Sequence, residues 1–312
     1  MKGIPTELGD SYRACAEITR RRARNFFYGL RLAPEPRRSA LYAIYAWMRA
    51  ADDAVDQQAD LATKQAALAR HSDLTERVLT LRDSGGGAGA PGATPTGAYW
   101  PAFAHTLASY PIDGAHVRDM LRGMEDDLTL TAIRTDADLE RYCYRVASTV
   151  GQVCVAVWGL RPGVDVPNAM RLAALRGRAF QLTNILRDFA QDFDDSPSRV
   201  YLPRSAFDRA GLDPTDLRRW AGEEACATLI RAYAGKAREA YEESSPLDAF
   251  VDPACAPAMW AMTSIYRSIL DRIEAEPRRV VSPTRIRLPS WKKLVIAFSA
   301  SLRARRASAV NA

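Results

Sequence analysis

The chain has 312 residues, of which 47% are hydrophobic and 26% are charged, and its formal net charge is +6. This balance is typical of a globular protein with a sizeable core, and no apolar run reaches the roughly 18 residues that a membrane-spanning helix needs. Five cysteines without a CxxC spacing and three histidines without a metal-ligand spacing argue against structural zinc and a disulfide framework.

Apolar residues recur at helical spacing along almost the whole chain, and no segment alternates strictly, so the sequence predicts an all-α fold. The predicted helices cover 11–31, 37–58, 61–82, 99–110, 113–131, 136–160, 166–195, 204–211, 214–245, 252–276 and 290–306. A Gly/Ala/Pro-rich stretch at 83–98 has nothing to bury and is predicted to be a flexible insertion. It interrupts a single domain expected to span 1–290, and a basic amphipathic tail follows over 291–312.

The N-terminus and the charge distribution indicate where the protein acts. The first residues include acidic groups and no apolar segment, so we expect a cytoplasmic protein without a secretory signal. Two basic clusters, Arg20–Arg24 and Lys292–Arg306, are interpreted as solvated helix faces. A nucleic-acid partner is therefore not expected.

The predicted helix over 37–58 carries two carboxylates one turn apart. Asp52 and Asp56 are separated by four residues, which places them on one face of the helix. Tyr45 and Arg49 continue the same stripe towards the N-terminus, whereas the opposite side is apolar. A polar stripe on so apolar a helix indicates a face that lines a cavity.

A second polar ridge lies on the predicted helix over 166–195. Its members recur at spacings of three, four and four residues: Gln181, Asn184, Asp188 and Asp192. Such spacings place all of them on one face. Short amide and aspartate side chains are poor helix formers, so a requirement other than helix stability explains them better.

Two DxxxD pairs on separate helices, each next to an arginine (Arg49 and Arg187), predict a metal site. A single pair of this kind is more often an exposed turn of helix with ordinary charges. Mg²⁺ prefers oxygen ligands and is typically held by one or two carboxylates together with substrate phosphates, and we expect Mn²⁺ to substitute for it. Facing acidic ridges would let such ions stabilise the charge of a departing diphosphate.

Four segments together resemble the squalene/phytoene synthase family. They are Arg24–Tyr28, Ala43–Asp56, Tyr142–Gly151 and Gln181–Pro203. Gly123–Asp127 adds a fifth and weaker match, and the resemblance runs from about residue 15 to about residue 275.

The resemblance implies a fold and a reaction. The fold is a single-domain isoprenoid synthase, a helical bundle around a central cavity. The reaction is the Mg²⁺-dependent head-to-head condensation of two prenyl diphosphates, within carotenoid, hopanoid or sterol biosynthesis. The segments Arg24–Tyr28 and Tyr142–Gly151 favour two farnesyl diphosphates and a product of the presqualene diphosphate or squalene type. Phytoene synthesis from two geranylgeranyl diphosphates is the near alternative.

Residue-by-residue matching to the family also implies a site. The implied metal ligands are Asp52, Asp56, Asp188 and Asp192. The implied catalytic residues are Tyr45, Arg49, Tyr142 and Arg187. The implied substrate contacts are Phe26, Arg49, Tyr142, Gln181, Asn184, Arg187 and Arg199. The chain departs from the family at Arg22–Phe26, which replaces a serine-containing segment, so diphosphate contacts there are expected to differ.

Two further questions remain open at this point. Some relatives of the family have lost catalysis and act in assembling other proteins; they tend to lose the acidic pairs, which are intact here.

The basic amphipathic tail that begins at Trp291 either lies peripherally on an anionic membrane, on its inner face, or caps the bundle.

Overall fold

The computed structural model describes residues 4–23, 29–56, 58, 60–85, 95, 97–130, 132–289, 291–292, 295–296, 298–300 and 302–303. Regular structure in these residues is helical, and β pairing is limited to two isolated bridges, Ala132 with Val200 and Leu160 with Val251. The predicted all-α fold is confirmed. None of the described helices combines the length and the apolarity that a membrane span requires.

Thirteen α-helices follow one another in chain order in the described residues. They are α1 (Gly9–Arg22), α2 (Arg37–Asp56), α3 (Leu61–Asp83), α4 (Trp100–Ser109), α5 (Gly114–Thr129), α6 (Asp136–Cys143), α7 (Thr149–Trp158), α8 (Val166–Asp194), α9 (Arg204–Ala210), α10 (Pro214–Arg219), α11 (Glu223–Glu243), α12 (Leu247–Phe250) and α13 (Ala256–Ala275). Short 3₁₀ turns cover Thr6–Leu8 and Pro277–Val281.

The helix predicted over 136–160 contains a change of helical type. α6 and α7 are joined without a break by a turn of π-helix at Tyr144–Ser148. Single π turns inside longer helices occur frequently at functional sites, and this one lies between Tyr142 and the glycine at position 151.

Other predicted boundaries differ because backbone conformation stops a helix that the apolar pattern would continue. The helix predicted over 214–245 is divided into α10 and α11, since Trp220 and Gly222 have left-handed φ values of 57° and 84°. The helix predicted over 252–276 begins only at Ala256. α1 ends at Arg22, and the rest of its predicted range includes residues outside the described part.

The longest helix, α8, lies against α7 at very short range. A Cβ atom on Gly177 would stand 2.3 Å from the carbonyl oxygen of Ala147, and one on Gly151 would stand 2.6 Å from that of Ala173. Both glycines therefore permit a backbone approach that no other residue allows. The paired positions also show that α7 and α8 run antiparallel.

The segments on either side of the predicted insertion belong to one core. Trp47 of α2 stacks on Phe103 of α4, with ring centroids 4.9 Å apart, and its Nε1 donates to Thr75 of α3 at 3.0 Å. The helices before and after the Gly/Ala/Pro-rich stretch thus pack in the same bundle. Most of that stretch, 86–94 and 96, lies outside the described residues.

Candidate active site

An apolar cavity of about 220 Å³ lies between α2, α7, α8 and α13. Tyr45, Gln181 and Asn184, all members of the predicted polar stripes, are part of its wall. Because α7 and α8 are antiparallel, Trp158 lines the cavity at the end opposite Asn184. The cavity is therefore a pocket with polar groups at one end and an aromatic side chain at the other.

A polar cleft of about 370 Å³ lies further along α2. It is lined by Arg49, one turn beyond Tyr45, and by Asp52, about two turns beyond it. The opposite wall of this cleft comes from two other elements. Asp127 reaches it from α5, and Arg199 reaches it from the loop that follows α8. The cleft thus combines carboxylates with guanidinium groups that can bind phosphate oxygens.

The guanidinium of Arg49 lies between two carboxylates of its own helix. It forms an ion pair with Asp53 and lies 3.6 Å from a carboxylate oxygen of Asp52. Asp53 also lies 3.6 Å from the guanidinium of Arg22. The predicted ligand Asp56 is the last residue of α2, and its side chain is outside the described part.

Asp188 is bound by two arginines at once. Arg187 donates to its Oδ1 and Oδ2 at 2.7 and 2.6 Å. Arg285, from the irregular segment after the 3₁₀ turn at Pro277–Val281, donates to the same two oxygens, with 2.6 Å between its Nε and Oδ1. Burial favours the neutral acid, but the two guanidinium groups hold the pKa of Asp188 below its ordinary value. Asp188 is therefore an ionised carboxylate whose two oxygens are both engaged.

Asp192 lies one turn beyond Asp188 in a less favourable environment. Burial and the negative charge of Asp188 raise the pKa of Asp192 to about 6, and Arg199 and Arg285 offset part of this rise. Asp127 contributes a further negative charge. A cation bound at this point would relieve the repulsion.

Tyr142 belongs to a small network of ring and hydrogen-bond contacts that was not predicted from the sequence. Its ring stacks on Tyr201 with centroids 5.1 Å apart, and the Tyr201 hydroxyl donates to Asp127 at 3.3 Å. Burial raises the pKa of Asp127, and the charge of Arg199 lowers it in part. Tyr142 therefore borders the polar cleft through Asp127.

Three residues of the site were missed by sequence reasoning. Asp127 lies in the weak match at Gly123–Asp127, and Tyr201 lies in the last family segment, so both had a signal that was given no role. Arg285 had none, because it is one of several arginines in a segment without a family motif. Of the predicted residues, Phe26 lies outside the described part, and Arg187 is buried against Asp188.

The donor groups suit Mg²⁺ in kind, since Asp52, Asp127, Asp188 and Asp192 offer only carboxylate oxygens. Within the described ranges, however, no three carboxylate, histidine or cysteine side chains converge on a point that would hold an ion. Arg187 and Arg285 take up both oxygens of Asp188. The raised pKa of Asp192 shows that the remaining carboxylates would benefit from a cation.

The fold and the site define a class of protein: an all-α bundle with an apolar pocket that ends beside an acidic, arginine-containing cleft. The sequence profile of the family described as "Squalene/phytoene synthase" matches residues 19–292. The chain belongs to the squalene/phytoene synthase family, which is of the prenyltransferase type.

Individual relatives divide between two kinds of product. The chain is 33% identical to a phytoene synthase of Arthrospira platensis over 96% of both chains, and 32% identical to a 15-cis-phytoene synthase of Synechococcus elongatus over 95% of this chain and 94% of the relative. Among solved structures, a dehydrosqualene synthase is similar with a TM-score of 0.80, at 25% identity, over 96% of this chain and 98% of that one. A squalene synthase of Alicyclobacillus acidocaldarius shares the fold with a TM-score of 0.76, at 23% identity, over 90% of this chain and 98% of that one.

Proposed function

We propose that this chain is a Mg²⁺-dependent transferase that condenses two prenyl diphosphates head to head. One observation carries the proposal. On both α2 and α8 the acidic motif begins one turn beyond a residue that lines the apolar cavity, since Asp52 follows Met48 and Asp188 follows Asn184 by four residues. A substrate with an apolar chain and a diphosphate head would place its chain in the apolar cavity and its diphosphate beside the acidic motifs.

The residues have distinct tasks in this proposal. Arg49 and Arg199 bind diphosphate oxygens in the polar cleft. Asp52, Asp56, Asp188 and Asp192 hold Mg²⁺, which supplies electrostatic stabilisation to the leaving diphosphate. The roles of Arg49, Asp52 and Arg199 rest on their place in the wall of the cleft. Those of Asp56, Asp188 and Asp192 rest on the family resemblance.

The cavity wall protects a carbocation from water. Its lining is mainly apolar, which keeps solvent from a reactive intermediate. Tyr45, Phe180 and Tyr266 present aromatic faces to it, and Phe180 stacks on Tyr266 with centroids 4.5 Å apart. Aromatic rings stabilise a cation without reacting with it. Tyr142 is not among the described residues that line this cavity; it lies beside Asp127, and its catalytic role stays a prediction.

We infer that geranylgeranyl diphosphate is the substrate and phytoene the type of product. The full-length relatives that are about a third identical are phytoene synthases, which favours this alternative over the farnesyl diphosphate reaction expected from the sequence. The farnesyl reaction stays as the second candidate because a dehydrosqualene synthase has a similar structure at 25% identity.

Separate incubations with Mg²⁺ and each diphosphate test the function, followed by mass analysis of the dephosphorylated products. A forty-carbon head-to-head product from geranylgeranyl diphosphate is expected. A thirty-carbon product alone would transfer the assignment to the squalene type. No product from either substrate, with folded protein, would favour the non-catalytic relatives that assemble other proteins.

We also propose a peripheral contact between the C-terminal tail and a membrane, because a hydrocarbon product has to enter a lipid phase. A cytoplasmic location, on the inner face of the membrane, is consistent with this contact.

A further inference from the structure

The described residues of the C-terminal tail form a helix with two different faces. Four large apolar side chains on it are exposed: Trp291 by 64%, Val295 by 55%, Phe298 by 67% and Leu302 by 42%. Their spacings of four, three and four residues place them in one stripe along the helix. We refer to these four residues as the outer stripe.

The opposite face of the same helix is attached to the bundle. Ile296 and Ala300 are buried among core residues of α11 and α13. The guanidinium of Arg303 lies 4.5 Å from the ring centroid of Trp260 on α13. The tail therefore caps the bundle with one face while the outer stripe stays unused, so the two interpretations of the tail are compatible.

Charge indicates what covers the outer stripe. From residue 277 to the C-terminus the chain has nine lysine and arginine residues and no aspartate or glutamate. A second copy of the chain would bring two such basic segments together, which repulsion opposes. An anionic lipid surface is complementary to them, and a tryptophan at the edge of an apolar stripe is typical of membrane interfaces.

We propose that the outer stripe inserts into the interfacial layer of an anionic lipid bilayer. Insertion removes four apolar side chains from water, and the flanking basic groups gain contacts with lipid phosphates. The inference deepens the peripheral membrane contact of the proposed function and rests on it. It predicts a lipid-binding surface that works without substrate.

Flotation with vesicles tests this surface independently of turnover. The full chain is mixed with vesicles of phosphatidylcholine, or of phosphatidylcholine and phosphatidylglycerol in equal parts, without substrate. We expect binding to the anionic vesicles only, decreasing with salt, and a drop of about tenfold or more in the double variant V295S/F298S. Val166→Ser is the matched control, because Val166 is an exposed valine on α8, 52% accessible, and should bind like the unaltered chain.

Three results would overturn the proposal. They are equal binding to neutral and anionic vesicles, unchanged binding of V295S/F298S, and conversion of a dimer into a monomer by that variant in size-exclusion chromatography. Turnover of dispersed substrate is measured on the same preparations. Absence of turnover in the unaltered chain would contradict the proposed reaction. The vesicle result concerns only the lipid contact of the tail.

A second inference comes from Arg285 and concerns the acidic cleft. Of the two arginines on Asp188, Arg187 is on α8 and buried, with 10% of its side chain exposed. Arg285 is on an irregular segment outside the helices and has 36% of its side chain exposed. Only Arg285 can leave Asp188 without rearranging the core.

We infer that Arg285 occupies Asp188 in place of a metal cation and is displaced when the cation binds. Two donors of a planar guanidinium satisfy both carboxylate oxygens, which are the atoms that a cation would need. The inference rests on the proposed role of Asp188 as a metal ligand. Arg285 is thus a positioning residue that balances the negative charge of Asp188 while no metal is bound.

Binding of Mn²⁺ without substrate, followed by the electron paramagnetic resonance signal of the free ion, tests this role. Arg285→Ala should bind Mn²⁺ more tightly, by about tenfold, the scale of one hydrogen bond to a charged group. Arg287→Ala is the control. Arg287 is exposed and lies two residues further along the chain, and its substitution removes the same charge. Arg285→Gln repeats the test with a side chain closer in length.

Unchanged or weaker Mn²⁺ binding in both position-285 variants would overturn the inference, as would an equal gain in Arg287→Ala. Thermal unfolding of each variant confirms that the protein measured is folded. Absence of product with a normal Mn²⁺ titration would contradict the proposed reaction and leave the displacement of Arg285 supported.

Discussion

Asp192 and Asp188 are one turn apart on α8, and burial favours the neutral acid in both, yet their pKa values shift in opposite directions. Asp188 has two arginines to compensate for burial, whereas Asp192 has the charge of Asp188 beside it, which raises its pKa to about 6. An unfolded aspartate has a pKa of about 3.9. The folded protein therefore binds the proton of Asp192 more tightly. In the absence of metal, this stabilising contribution is complete below the unfolded pKa and is lost as the pH rises through the folded value.

Asp192→Asn should accordingly stabilise the metal-free protein well above the folded pKa, by about 1 kcal/mol after allowance for solvent screening. The same substitution should flatten the decline in stability between roughly pH 4 and the folded value. Urea unfolding at several pH values without divalent metal measures both effects. Equal stability of variant and parent at alkaline pH would show that Asp192 is not under repulsion. Turnover should fall strongly in the variant, because a proposed metal ligand is lost.

Asp188→Asn should have the opposite effect on stability. It leaves the buried guanidinium of Arg187 without its carboxylate, and breaking a buried ion pair typically costs about 3 kcal/mol or more. Asp194→Asn, which removes an exposed partner of Arg218, should cost less than about 1 kcal/mol. Denaturant unfolding of the two variants at neutral pH makes the comparison. Similar costs for both would mean that Arg187 has another counter-charge.

At the scale of elements, the site depends on how closely α7 and α8 approach. The polar residues of α8 face the cavity only because Gly151 and Gly177 allow the two backbones to come together. Larger residues would separate the helices and move Gln181 and Asn184 relative to α2. The two glycines are therefore part of the architecture of the site even though they carry no functional group.

Gly177→Ala should destabilise the protein by about 2 kcal/mol or more, because the new methyl group meets the backbone of Ala147. Gly235→Ala provides a matched control within another helix, α11. No atom lies within 4 Å of the new Cβ there, so helix propensity should give a gain of up to about 1 kcal/mol. Thermal unfolding of the two variants should shift in opposite directions. A shift in the same direction would contradict the account of the α7–α8 contact.

Much of the element order could be predicted, and the failures have physical causes. The spacing of apolar residues located α2, α3, α5 and α8 well, because apolar positions recur every three or four residues along each of these long helices. It could not locate the break at Trp220, since a left-handed residue other than glycine leaves no trace in the pattern. The acidic motifs were visible because their members are four residues apart. Arg285 was not visible, because tertiary packing alone brings it to Asp188. Asp127 had a weak signal but no predicted role, because its contact with Tyr201 also depends on tertiary packing.

At the scale of the whole molecule, the length of the pocket should decide which prenyl chain fits. Trp158 lines the pocket far from the acidic cleft, and its buried Nε1 has no hydrogen-bond partner among the described residues. Its replacement therefore costs packing but no hydrogen bond, about 3 kcal/mol if the cavity does not collapse.

Trp158→Leu should lengthen the pocket and increase the preference for geranylgeranyl over farnesyl diphosphate. Competition between the two diphosphates in one reaction measures the ratio of kcat/KM values directly. Cys154→Ala, a smaller change on the same wall of the pocket, is the control and should alter the ratio less. An unchanged ratio in Trp158→Leu would show that this tryptophan does not limit chain length.

We propose that the apolar pocket and the acidic cleft act together on prenyl diphosphates with the help of Mg²⁺. The most direct test is the head-to-head product formed from geranylgeranyl diphosphate by the purified chain, by its Asp52→Asn variant, and by the chain after removal of divalent metal. We expect a forty-carbon product from the unaltered chain with Mg²⁺. The rate of product formation should fall by at least about 100-fold in the Asp52→Asn variant and in the chain without divalent metal. Equal product formation by all three would contradict the claim, because catalysis would then require neither the carboxylate nor the metal.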